Sequence, residues 1–159
     1  MSNRSITVQQ EDFDIGAVTE ELRSLGTHTG AICTFTGLVR DLSGKDDDSP
    51  EELEELFLEH YPGMTENALQ EIVDEAWSRW PLNGCKVIHR VGPLKLGDQI
   101  VLVATASAHR QAAFDAANFI MDYLKTRAPF WKRQTSAGKS SWVEQRESDD
   151  RAMERWQKD

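Results

Sequence analysis

The chain has 159 residues, 39% of them hydrophobic and 28% charged, with a formal net charge of -9. That length suits one domain, 1–159, whose folding buries roughly two thirds of the surface of the unfolded chain, and the composition is too apolar for a wholly disordered protein. The acidic balance argues against a general nucleic-acid or anionic-lipid surface, no apolar run approaches the roughly 20 residues that cross a bilayer, and the polar start MSNRSITVQQ lacks the apolar stretch of a secretory signal, so a cytoplasmic protein without membrane or nucleic-acid partners is expected.

In chain order, Ser5 to Gln10 alternates as a short strand, and Ile15, Val18, Leu22 and Leu25 recur at helical spacing before the breaker Gly26. Gly30 to Arg40 is rich in β-branched and aromatic residues and predicts a buried strand with Arg40 at its end. Lys45 to Glu55, KDDDSPEELEE, is a run of like charges around a proline that repels itself, so an acidic mobile loop is expected over about 43–54. Leu56 to Tyr61 predicts a strand closed by Pro62-Gly63, followed by a helix capped by Thr65, with Leu69, Ile72, Val73, Ala76 and Trp80 as its apolar stripe. Cys85–Val91 and Gln99–Ser107 predict an antiparallel hairpin joined by GPLKLGD. From Ala108 to Arg127 the absence of Gly and Pro, with Ala112, Ala116, Phe119, Ile120, Tyr123 and Leu124 in phase, predicts a long helix ending before Pro129. FWKRQT and SSWVEQ then pair across Ser136-Ala137-Gly138, and SDDRAMERW forms a short last helix capped by Ser148. The order of elements implies an α+β fold with a largely antiparallel sheet.

Chemistry concentrates where an acidic chain places cations close together. The long helix begins with His109-Arg110 and ends with Lys125 and Arg127, and Lys132 and Arg133 follow. Arg110, Phe114, Ala117, Met121 and Lys125 fall along one helical stripe, a cation at each end of an apolar strip that would suit a flat ligand with anionic ends. The plainer reading is that terminal Lys and Arg offset the helix dipole, that surface cations are solvated, and that Phe114 and Met121 are core residues. Phe130 and Trp131 admit the same choice between stacking on a ligand and simple burial. Cys33 and Cys85 lack the spacing of a metal or redox site and are expected to be buried structural thiols, with no metal site and no cofactor.

The segments FTGLVRD (Phe35 to Asp41), LEHYPGM (Leu58 to Met64), VIHRVGPLKLGD (Val87 to Asp98), SAHRQAAF (Ser107 to Phe114), MDYLKTRAPFWKR (Met121 to Arg133) and WVEQRESD (Trp142 to Asp149) resemble the large-subunit family of molybdopterin synthases, from about Ile6 to Trp156. The resemblance implies an α/β hammerhead joined to an antiparallel sheet region. It also implies a homodimer within a heterotetramer, with a small ubiquitin-like subunit at each end whose C-terminal Gly-Gly thiocarboxylate donates sulfur to cyclic pyranopterin monophosphate. It assigns Lys125 to the incoming thiocarboxylate and Lys132 to a catalytic position nearer the substrate. Arg40, His109 and Arg110 would bind the cyclic phosphate and pterin oxygens, Met121 and Arg133 would line the substrate pocket, and Arg146 would reach the pocket of the adjacent large subunit. Preorganised cations suit this chemistry, because sulfur transfer from an acyl group and opening of a cyclic phosphate both build negative charge. Gln134 stands where the family often has an acidic residue, and the acidic segment is longer than its counterpart. The rival reading is a non-catalytic module that docks a ubiquitin-like protein, for which both lysines would be superfluous.

Overall fold

The computed structural model describes residues 3–40, 53–136, 139–143 and 153–157. The elements run β1 (Arg4–Gln9), α1 (Ile15–Arg23), β2 (Ala31–Leu38), β3 (Leu53–His60), α2 (Met64–Arg79) and β4 (Leu82–Arg90). They continue with β5 (Gly92–Leu94), β6 (Gln99–Ser107), α3 (Arg110–Arg127), β7 (Phe130–Ser136) and β8 (Lys139–Val143). Two four-stranded sheets result, in the orders β1-β4-β6-β2 and β5-β3-β7-β8.

The first sheet is apolar on both faces. Along β6, Val101 and Val103 turn toward α2 and α3 and pack with Leu69, Val73, Phe119 and Ile120. Leu102, Ala104 and Ala106, out of phase by one residue, turn toward α1 and pack with Val18 and Leu22. A strand buried on both sides reads as a continuous apolar run, which is why IVLVATA carries no charge. β4 and β2 flank β6 antiparallel, and β1 adds to β4 in parallel, so the sheet is mixed.

The chain changes sheets at Gly92, whose φ of 86° is a conformation that other residues adopt only at a cost. β5 thereby leaves β4 and pairs with β3. The inner face of the second sheet presents Leu56, Leu58 and Leu94, which pack with Val91 and Val39, while Ile100 and Phe130 join this cluster to the larger one. Gly30 is a point of close approach: its N–H donates to the Ser107 carbonyl at 2.9 Å, and a Cβ there would lie 2.2 Å from the Ala108 carbonyl oxygen. Residues 153–157 fold back on the helices. Trp156 meets the Trp80 and Phe119 rings at 5.6 and 5.8 Å, Arg79 donates to its carbonyl, and Asp122 accepts from its indole N–H.

The α+β class, the β4–β6 hairpin, the long helix and the β7–β8 hairpin match the sequence reading. Four details differ. β3 begins at Leu53, so the last residues of the expected acidic loop belong to a strand, held there by pairing with β7; the remainder of that loop lies outside the described residues. Thr65 does not cap α2, which starts at Met64 after Gly63; its hydroxyl accepts from the Tyr61 N–H and donates to the Pro129 carbonyl. The segment GPLKLGD is more than a turn, since its first residues form β5. Of the expected last helix, the described part turns at Met153–Glu154 and then ends, and Ser148 lies outside the described residues.

Phe119 is fully buried, meeting the Trp80 ring edge-on and the Tyr123 ring at a tilt. Phe119→Ala should therefore lower unfolding free energy by about 3–5 kcal/mol, as a cavity among aromatic rings cannot collapse. Urea denaturation followed by tryptophan fluorescence measures it, and a loss below about 1 kcal/mol would contradict the packing described.

Candidate active site

α3 leaves β6 at Ser107 and runs back along it, so its last turn returns to the Gln99 end of the strand. Lys125 sits exposed in that last turn, where a cation also meets the negative end of the helix dipole. Ala128 and Pro129 form the elbow into β7, and the Thr65 hydroxyl fixes the Pro129 carbonyl at 3.0 Å. Along β7, Phe130 pairs with His60 and Lys132 with Leu58. Side chains two apart share a face, so Phe130 and the half-buried Lys132 lie on the inner side of the second sheet beside buried Leu58.

Under them lies His89, buried at the end of β4, its ring stacked on Phe130 with centroids 3.9 Å apart. Burial pushes its pKa down to about 4, opposed by its contact with the Arg90 carbonyl and reinforced by the charges of Lys132, Lys125 and His60. The ring is neutral near pH 7, and the 2.8 Å contact from Nδ1 to the Arg90 oxygen makes Nδ1 the protonated nitrogen. His60 completes the rim, its Nε2 lying 3.4 Å from Glu66.

Arg40 is exposed just beyond β2 on a fixed base: Val39 is buried, its N–H donates to the Asp98 carbonyl at 2.9 Å, and its carbonyl accepts from Gly97 at 2.7 Å. Because Val39 shares a cluster with Leu58 and Phe130, Arg40 belongs to the same end of the molecule as Lys125 and Lys132. Two of the sequence-predicted cations, Lys125 and Lys132, thus lie near enough to act on His89 beneath Phe130, with Arg40 at the same end of the molecule. A neutral floor beneath cations keeps their charge available to a ligand.

His109 and Arg110 do not join them within the chain. His109 is the N-cap of α3 and Arg110 its first residue, both exposed, and fifteen residues of helix separate Arg110 from Lys125 by about 22 Å. The apolar strip expected to span them is core instead: Ala117 and Met121 are buried, and only Phe114 is open, at 59% exposure. One flat ligand cannot touch both ends. Met121 would serve the site as a packed wall. Arg133 pairs in register with Phe57 and Trp142, and Arg146 lies outside the described residues. Trp131 turns to the outer side, against Tyr61 with centroids 4.4 Å apart.

Sequence reasoning missed His60 and His89. The period-two alternation of CKVIHRV already placed residue 89 on a buried face, but nothing in it said that the face lay under two lysines. Cys85 is a buried thiol with its pKa pushed up to about 12 by desolvation, and Cys33 is half-buried. Among the described residues no cluster of His, Cys, Asp or Glu could hold a metal ion.

His89 binds its proton far more weakly when folded than the ordinary imidazole value of 6.5. The unfolded chain therefore takes up the proton first, and stability should fall as pH drops from about 6.5 toward 4, by up to about 3 kcal/mol from this group. His89→Phe keeps a ring against Phe130 and cannot titrate, so its stability relative to the unmodified protein should improve across that window. A constant difference between the two denaturation series from pH 7 to pH 4.5 would contradict the assignment.

Residues 8–127 match the family described as MoaE protein. The chain is 51% identical over 152 residues to a molybdopterin synthase catalytic subunit of Vibrio cholerae, covering 96% of this chain and 97% of the relative. It is 52% identical over 158 residues to that of Escherichia coli K12, covering 98% and 100%. The solved structure of the molybdopterin biosynthesis MoaE protein from Burkholderia ambifaria superposes with a TM-score of 0.80 at 45% identity, over 96% of this chain and 97% of that one. With its helices, its two sheets and nearly its whole length matched, the chain belongs to the MoaE family, that of the molybdopterin synthase catalytic subunits.

Proposed function

We propose that this protein is the catalytic subunit of a cytoplasmic molybdopterin synthase, moving sulfur from the C-terminal thiocarboxylate of a small ubiquitin-like subunit to cyclic pyranopterin monophosphate. The observation that carries the reading is that Lys125 and Lys132 both lie near enough to act on His89 in its stack with Phe130, in a chain of net charge -9. Such a patch attracts two anions, the thiocarboxylate and the cyclic phosphate.

In each transfer the thiocarboxylate sulfur forms a bond to a substrate carbon while a carbon–oxygen bond of that carbon breaks, the oxygen leaving as water or, where the cyclic ester opens, staying on the phosphate; water then cleaves the acyl–sulfur bond, leaving the donor as a carboxylate and the sulfur on the pterin. Negative charge grows on the acyl oxygen during that cleavage and on phosphate oxygen as the cyclic ester opens. Fixed cations stabilise both without reorganising. Lys125, exposed at the helix end, meets the incoming chain terminus, while Lys132, half-buried in the sheet, lies deeper toward the pterin. Arg40 offers a planar fork that pairs with two phosphate oxygens. His109 and Arg110 contribute to the same ligand from a second copy, and Arg146 acts across that dimer. A heterotetramer of two such chains and two small subunits is the working assembly.

Two outcomes test this. Lys125→Arg preserves charge but enlarges the head and fixes its protonation, so single-turnover assays with saturating thiocarboxylated partner should show both Lys125→Arg and Lys125→Ala failing while co-elution with the partner persists. Near-normal turnover by the arginine variant would reduce Lys125 to a counterion. Arg40→Ala should weaken pterin binding by about 10- to 150-fold, the worth of one charge-assisted contact, and leave partner binding unchanged. Calorimetry with each ligand separates the two, and equal losses would remove Arg40 from the pterin site.

A further inference from the structure

Cleavage of an acyl–sulfur bond by water needs a group that takes a proton from that water, and a lysine or arginine serving as a cation has no lone pair to take it with. His89 has a lone pair but is buried, with Nδ1 held at the Arg90 carbonyl, 2.8 Å away. Asp98 accepts from the Lys95 N–H at 2.9 Å, and Glu59 is exposed on the outer side of the second sheet beside Trp131. Among the described residues that flank Phe130 and Lys132, His60 has both the lone pair and the opening. It closes β3 in register with Phe130, so the two side chains share the inner side of the sheet, and Lys132 stands diagonally across at roughly 7–8 Å. Its side chain is 22% exposed, enough for water to reach the ring.

That ring is also oriented. Its Nε2 lies 3.4 Å from one oxygen of Glu66, and the other oxygen of the same carboxylate accepts from the Gly63 N–H. Glu66 belongs to the first turn of α2, and the link from β3 into that turn is pinned to the elbow between the two lysines, since the Thr65 hydroxyl accepts from the Tyr61 N–H and donates to the Pro129 carbonyl. A carboxylate beside Nε2 keeps the proton on that nitrogen, leaves Nδ1 as the acceptor, and stabilises the imidazolium that forms when Nδ1 takes a second proton. We propose that His60, oriented by Glu66, is the general base that takes a proton from the water cleaving the acyl–sulfur bond. The water oxygen bonds to the acyl carbon and its proton passes to Nδ1. The electron pair of the carbon–sulfur bond goes to the sulfur, which stays on the pterin and receives the proton back from the imidazolium. The acid left on the donor ionises to the carboxylate. The earlier bonding of sulfur to the pterin makes no use of His60. This role rests on the functional reading above.

Rapid quenching followed by intact-mass spectrometry separates the two steps. Unmodified, His60→Gln and Glu66→Gln proteins are each mixed with thiocarboxylated small subunit and cyclic pyranopterin monophosphate, after circular dichroism and co-elution with the small subunit confirm the fold. His60→Gln should join the small subunit to the pterin at the unmodified rate and hydrolyse the adduct about 100-fold or more slowly, so that a species with the summed mass accumulates. Added imidazole should restore hydrolysis by supplying the missing base, which a displaced backbone would not allow. Glu66→Gln should accumulate the same adduct to a smaller extent, because the base is present and poorly oriented. Should His60→Gln fail to fold, the shorter His60→Asn reads the same step. Hydrolysis at the unmodified rate in the His60 variant overturns the proposal, and so does an equal slowing of adduct formation and hydrolysis that imidazole leaves unchanged. Absence of molybdopterin with the unmodified protein would remove the functional reading and the base together, whereas normal turnover by the unmodified protein with His60→Gln keeping pace removes the base alone.

Discussion

The arrangement depends on β6 being buried from both sides. Its odd- and even-numbered residues serve two separate clusters, one under α2 and α3 and one under α1, so the strand has no free face through which to slip. A shift of one residue would exchange the two sets and drive valines sized for one layer into the other. With β6 fixed, α3 is fixed as well: it starts where the strand ends, and the Thr105 hydroxyl holds its Ala113 carbonyl at 2.7 Å. Lys125 thus inherits its position from a strand it never touches in sequence.

The second sheet then sets a polar task on an apolar base. Phe130 belongs at once to the core that joins the sheets and to the floor of the cation patch, and its stack on His89 replaces water beneath the lysines with two flat rings. A protonated histidine there would add a third positive charge in a poorly solvated place. Desolvation keeps it neutral, and the same poor solvation would strengthen the pull of the half-buried Lys132 on an arriving anion. The features that weaken proton binding at His89 and favour anion binding above it are one environment seen from two sides.

Much of this was legible in the sequence, for identifiable reasons. The helical phase of Ala112, Ala116, Phe119 and Ile120 and the uninterrupted apolar run of β6 are local signals, and both elements appear where those signals lie. The roles proposed for Lys125, Lys132 and Arg40 come only from resemblance to a family, since a terminal lysine satisfies the helix dipole equally well with no ligand. β5 was hidden because three residues around a proline carry no periodicity; only the positive φ of Gly92 and the waiting edge of β3 make them a strand. Thr65 had the chemistry of a cap and was taken by a carbonyl 64 residues away. The stripe from Arg110 to Lys125 had the correct phase and the wrong meaning, because periodicity says which residues share a face and not whether the face is covered.

Gly30 ties two distant properties into one mutational unit. With the Ala108 carbonyl oxygen 2.2 Å from where a Cβ would stand, any side chain must push apart the start of β2 and the peptide leading into His109. The edge strand and the cation pair at the head of α3 cannot be tuned separately through this position. Variation that adjusts β2 must enter along the middle of the strand, and variation that adjusts the head of α3 must enter on the helix itself, so in this family sequence drift at position 30 is expected to be far narrower than the surface location of its neighbours would suggest.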